Sequence, residues 1–118
     1  MKDSTLFRGK LDLTHKIKGF RESRPTGRQN AIAIRVVGNN LQHIGILHND
    51  FLLVEPTESY VFGDNKLYLW KTPNGRTAKF VERNNDALTL HNNDAWSQTW
   101  RLDEVKCLGV VFTVERDL

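Results

Sequence analysis

Few residues in this 118-residue chain have side chains suited to catalysis or metal binding: one cysteine (Cys107), four histidines (His15, His43, His48 and His91), scattered hydroxyls, and Lys79 in the apolar run Thr77-Ala78-Lys79-Phe80-Val81. A lone cysteine excludes an internal disulfide framework and any zinc cluster built on several thiolates. His43 and His48 stand five positions apart on an expected loop, with Asp50 the one nearby carboxylate. That spacing offers no third ligand in register, so they read as solvated or turn histidines. Neither a G-x-x-x-x-G-K-[ST] loop nor a G-x-G-x-x-G turn occurs, which leaves no nucleotide cradle. No metal or cofactor is expected.

Short strands must position these groups. Ala31 to Val37 is rich in β-branched residues and is stopped by Gly38-Asn39-Asn40, a turn signal. Phe51 to Glu55 is a second apolar run, ended by Pro56. Leu67 to Trp70 and Thr77 to Val81 flank Thr72-Pro73-Asn74-Gly75, where Asn-Gly predicts a tight hairpin turn with positive φ. Ala87 to His91 follows the turn Arg83-Asn84-Asn85-Asp86, and Val105 to Val114 is nearly continuous in apolar residues, as in a strand buried on both faces. An alternative for that last strand is a sheet edge offering Val110, Phe112 and Val114 to a symmetry mate. Helix is expected only as a turn near Asn40 to Ile44. The result is a mostly β domain over residues 31–118, with residues 1–30 as a partly ordered arm.

The net charge of +3 conceals an asymmetry. Up to Asn30 there are eight basic residues against three acids, and from Ala31 onward nine against eleven. A basic arm thus precedes a mildly acidic body, either as a solvated leader or as an arm attracted to nucleic acid phosphates. Trp70, Trp96 and Trp100, with Tyr68, Phe62 and Phe80, read as core or interface aromatics; the competing reading is a stacking platform for single strands. No run approaches the roughly 20 apolar residues that cross a bilayer, and the first residues lack the apolar run of a secretion signal, so a cytoplasmic chain without membrane contact is expected.

The segment from Arg35 to Val54 resembles the core of the LexA and UmuD group of Ser-Lys self-cleaving peptidases, the peptidase S24 family. Gly38-Asn39-Asn40-Leu41 stands where that family has Gly-Asp-Ser-Met, Gly45-Ile46 matches its Gly-Ile, and Asn49-Asp50 replaces its Gly-Asp. Downstream, Gly63-Asp64 resembles a second Gly-Asp, and Thr77-Ala78-Lys79 resembles the Thr-Val-Lys strand that carries the general base. Leu90 to Trp96 falls where the family has Leu-Pro-x-Asn-x-x-aromatic, and Leu108-Gly109-Val110-Val111 matches its closing strand. The resemblance spans Ala31 to Val114 and implies a compact, partly closed β barrel of short strands. It also implies that Asn40 and Lys79 are the degenerate dyad positions, with Gly38, Asn39 and Leu41 completing the cleft.

An amide at position 40 cannot form an acyl-enzyme, because its nitrogen lone pair is delocalised and it has no hydroxyl to activate. Thr57, Ser59, Ser97, Thr99, Ser4 and Ser23 lack the family's turn context, and no Ala-Gly or Cys-Gly pair occurs in the arm. The expected function is therefore a catalytically inactive domain serving dimerisation or peptide and protein binding. A homodimer, or a LexA-like or UmuD-like partner in DNA-damage or phage-type regulation, is what the resemblance implies. Two alternatives stay open: a residual Ser-Lys-type autopeptidase using Lys79, and a nucleic-acid-binding module using the arm.

Overall fold

The computed structural model describes residues 10–13, 17–18, 31–58 and 60–117. In chain order the strands are β1 (Lys10–Asp12), β2 (Ile32–Arg35), β3 (Phe51–Pro56), β4 (Tyr68–Thr72), β5 (Gly75–Asn84), β6 (Ala87–His91), β7 (Ser97–Arg101) and β8 (Lys106–Asp117). Among the described residues helix is confined to a 3-10 turn at Gln42–Ile44, inside the stretch where a turn is expected. All pairings are antiparallel, in the order β2-β3-β8-β4-β5-β6-β7, with β1 added on β8. The end strands β2 and β7 do not pair with each other, so the mostly β sheet stays open.

Alternation explains how one sheet serves two apolar clusters. On β4, Leu69 enters a cluster with Ile46, Val54, Phe80 and Val111, whereas its neighbours Tyr68 and Trp70 join Leu88, Leu90 and Cys107. Successive strand side chains point to opposite faces, so a strand between two cores must be apolar throughout, as β4 is over Tyr68 to Trp70. Register shifts at Leu53/Val54 and Leu69/Trp70 give β8 one extra residue opposite each of β3 and β4. Such bulges bend a strand and increase its twist.

The expectation that β8 offers an edge to a symmetry mate is overturned. Its two sides are taken by β3 on one and by β4 and β1 on the other, and Leu67 and Leu13 fill the remaining gap through Val111 N–H to Leu67 O (2.8 Å) and Leu13 N–H to Val114 O (2.8 Å). Val114 is fully buried, and Val110 and Phe112 are half-buried. The β4–β5 hairpin also differs in detail. Gly75 has φ +111°, whereas Asn74 is not among the residues of positive φ. Pro73 sits at the second turn position, where its fixed φ suits a type I turn, which needs no positive φ at Asn74, and not the Asn-Gly form. Thr72 Oγ1 completes the turn, accepting from Asn74 N–H at 3.0 Å and donating to Gly75 O at 2.9 Å.

Strands β1 and β7 lie outside the six read from the sequence. Leu13 and Ile17, both in the stretch read as an arm, are buried in the larger cluster. The arm's basic residues Lys2, Arg8, Lys16, Arg21, Arg24 and Arg28 lie outside the described residues. Trp70, Phe80 and Tyr68 are core residues and Phe62 and Trp100 pack against the core, but Trp96 is 44% exposed.

Candidate functional site

The loop joining β2 to β3 is held by its own backbone. Val36 N–H donates to Asp50 O and Asn49 N–H to Val36 O, both at 2.8 Å, and Gly38 N–H donates to His48 Nδ1 at 2.9 Å. Three positions in this loop have left-handed backbone: Gly38 at φ +95°, Gly45 at φ +99° and Asn49 at φ +75°. Asparagine tolerates that region better than most non-glycine residues, which explains how Asn49 occupies the place of the resembled family's glycine. Leu41, Ile44 and Ile46 anchor the loop in the core and leave Asn39 and Asn40 exposed at its tip.

Asp50 is the electrostatic anchor. Its side chain is 1% exposed and receives Arg116 through Nε to Oδ1 (2.8 Å) and Nη2 to Oδ2 (3.0 Å), while Leu47 N–H donates to Oδ2 at 2.8 Å. Arg116 Nη2 also donates to Gly45 O at 3.2 Å. The carboxylate holds the Arg116 guanidinium above its ordinary pKa. One β8 arginine therefore locks the loop carrying Asn40 at two points, with the bidentate geometry that makes such pairs strong.

Lys79 lies on β5 opposite Tyr68 and is 5% exposed. Its main-chain carbonyl accepts from the Trp70 indole N–H at 3.2 Å, and its amine stands 4.9 Å from the centre of the Trp96 ring. The amine makes no hydrogen bond or ion pair with the described residues. Burial pushes its pKa below the ordinary lysine value, with the Asp94 carboxylate opposing that shift.

The β6–β7 connection supplies the opposite wall. Asp94 Oδ1 accepts from Trp96 N–H at 2.8 Å, and Asp94 Oδ2 lies 3.6 Å from His43 Nε2. His43 Nε2 also donates to Asn92 O, tying this connection to the β2–β3 loop across 49 residues of sequence. Asn92 is buried, and its Oδ1 has no partner among the described residues. Together the two loops and β5 enclose a cleft of about 700 Å³ lined by Asn39, Asn40, Gln42, His43, Lys79, Asn92, Asp94 and Trp96. An adjoining groove of about 330 Å³ runs between β2 and β5, with Asn40, Leu41 and Lys79 among its lining.

Of the residues singled out from the sequence, Asn39, Asn40 and Lys79 line the main cleft, Leu41 lines the groove beside it, and Gly38 sets the backbone turn before them. Positions 40 and 79, separated by 39 residues, thus face one cavity. Gln42, His43, Asn92, Asp94 and Trp96 line the same cleft and were not singled out as cleft residues from local pattern. The stretch Leu90 to Trp96 carried the one available signal, through its family-like order of residues. Among the described residues no group of three or more His, Cys, Asp or Glu side chains is placed to hold a metal. Cys107 is buried, and burial pushes its thiol pKa up to about 11. No helix among the described residues is long and apolar enough to cross a membrane.

A family model described as Peptidase S24-like matches residues 5–112. No curated protein matches the sequence.

Proposed function

The chain belongs to the peptidase S24-like family, and on that premise we propose that it is a catalytically inactive member whose cleft binds an extended peptide segment of a protein partner. The observation that carries this reading is the chemistry facing Lys79: the main cleft presents the Asn40 carboxamide beside two further carboxamides on the same loop, Asn39 and Gln42, and among the described residues no hydroxyl or thiol is in its lining. A carboxamide cannot become the attacking alkoxide, but it offers both a donor and an acceptor, the pair that a peptide backbone needs.

Sheet edges favour an extended ligand. On β5, Gly75 to Lys79 pair with β4, whereas β6 pairs with Phe80 to Asn84, so the β6 side of Gly75–Lys79 carries no strand among the described residues. The outer edge of β2 is likewise unpaired among them. The groove between these edges has Leu41, Leu52 and Leu69 in its lining, an arrangement suited to strand addition with side-chain pockets. A homodimer built from this domain, or a regulatory partner of the same family, would supply such a segment.

Intact mass spectrometry tests the inactivity. The purified chain is expected to keep its mass at pH 7 and at pH 10, where a neutral lysine would speed self-cleavage; cleavage that disappears in Lys79→Ala would overturn the reading. Selection from a random-peptide display library tests the binding. Enrichment on the natural chain that is lost on Trp96→Ala, with Trp96 emission following the isolated peptides, is expected. No enrichment would defeat the peptide-binding proposal.

A further inference from the structure

We propose that the Lys79 amine is itself a nucleophile, condensing with aldehydes that enter the cleft to form an imine. Three observations lead there. Its amine opens onto a cleft of about 700 Å³, large enough for an aromatic aldehyde. That amine makes no hydrogen bond or ion pair with the described residues and rests 4.9 Å from the Trp96 ring centre, so no hydrogen bond must be broken before it attacks. The carboxamide of Asn40 lines the same cleft and, unlike a hydroxyl, does not draw the lone pair into proton transfer.

Burial favours the neutral amine, the form with a lone pair to donate. Asp94 opposes this, and His43 is the other titratable side chain in the lining. The reaction balances without an oxidant or reductant. The amine nitrogen bonds to the carbonyl carbon and the carbonyl oxygen takes up a proton, giving a carbinolamine. The nitrogen then loses its remaining hydrogen, the hydroxyl leaves as water, and a C=N bond remains. His43, on the cleft wall, is the group placed to pass the proton to the departing hydroxyl. The exposed face of Trp96 gives an aromatic aldehyde an apolar surface to lie against. This inference needs only the free protein and stands whether or not a peptide occupies the cleft.

Competitive labelling tests it. The folded full-length chain is treated at pH 7.5 with limiting benzaldehyde and cyanoborohydride, which traps the imine as a stable benzyl adduct, and the eight lysines are compared by peptide mapping. Lys79 is expected to be the fastest-labelled of the eight lysines in the folded chain. The preference should disappear in urea, and Asp94→Asn, which removes the opposing carboxylate, should raise the Lys79 rate further. Labelling of Lys79 no faster than that of the other lysines in the folded chain, or an undiminished preference in urea, overturns the proposal.

Discussion

Replacing Asp50 by alanine tests how the cleft is held open, because one buried carboxylate restrains the whole loop that presents Asn40. The substitution strands Arg116, removes two ionic hydrogen bonds, and leaves Leu47 N–H without its acceptor. Removing one partner from a fully buried ion pair costs about 3–5 kcal/mol. The Arg116 side chain is 35% exposed and rehydrates in part, so a discounted cost of about 2–3 kcal/mol, below that range, applies to the pair. The orphaned amide adds about 1 kcal/mol. A loss of about 3–4 kcal/mol is therefore expected, which for a domain of this size lowers Tm by about 12–16 °C. Asp50→Asn can keep the Leu47 bond and should lose less. Urea titration followed by tryptophan emission measures both, with Trp70 reporting the core. A loss below about 1 kcal/mol for the alanine variant would refute the assignment of Asp50 as the loop's anchor.

Gly109 on β8 leaves no room for a methyl group, since a Cβ there would stand 2.6 Å from both Glu55 O and Val54 Cγ1. Gly109→Ala should cost about 1–3 kcal/mol in the same titration, the usual range for overpacking. Lys79→Met should stabilise the fold at pH 7 by about 1–3 kcal/mol, because a buried cationic group is replaced by an apolar one of similar length. The sign follows from the lowered pKa: below the ordinary lysine value the unfolded chain binds more protons than the folded one, so stability of the natural chain rises with pH. Its full contribution is present only above about 10.5 and is lost as pH falls through the folded value, so the advantage of the methionine variant should shrink as pH climbs toward 10.5. Urea midpoints measured between pH 7 and 10 check this, and an advantage that stays constant would show that Lys79 is not desolvated in the fold.

The six strands legible in the sequence all form, because each combines β-branched or aromatic residues with a turn signal at its end, and these cues act over a few neighbouring positions. The two that escaped notice lack that signature. β7, Ser97-Gln98-Thr99-Trp100-Arg101, is polar apart from Trp100, and it forms by pairing with β6. β1 is three residues long and exists by its register on β8. Pro73 shows a local cue misread: the Asn-Gly pair suggested one turn geometry, and the preceding proline imposed another.

The sequence by itself determined six of the strands, the membership of the S24-like family and the identity of residue 40 as an amide, since all of these depend on residue type and order. Tertiary structure alone decided that Asn40 and Lys79 share a cavity, that Asp94 and His43 form its far wall, and that Trp96 stands over the lysine and not in the core. Those facts depend on contacts between loops about fifty residues apart, such as His43 to Asn92. No local periodicity encodes such a contact, and the loss of water around an amine is set only when the distant walls come together.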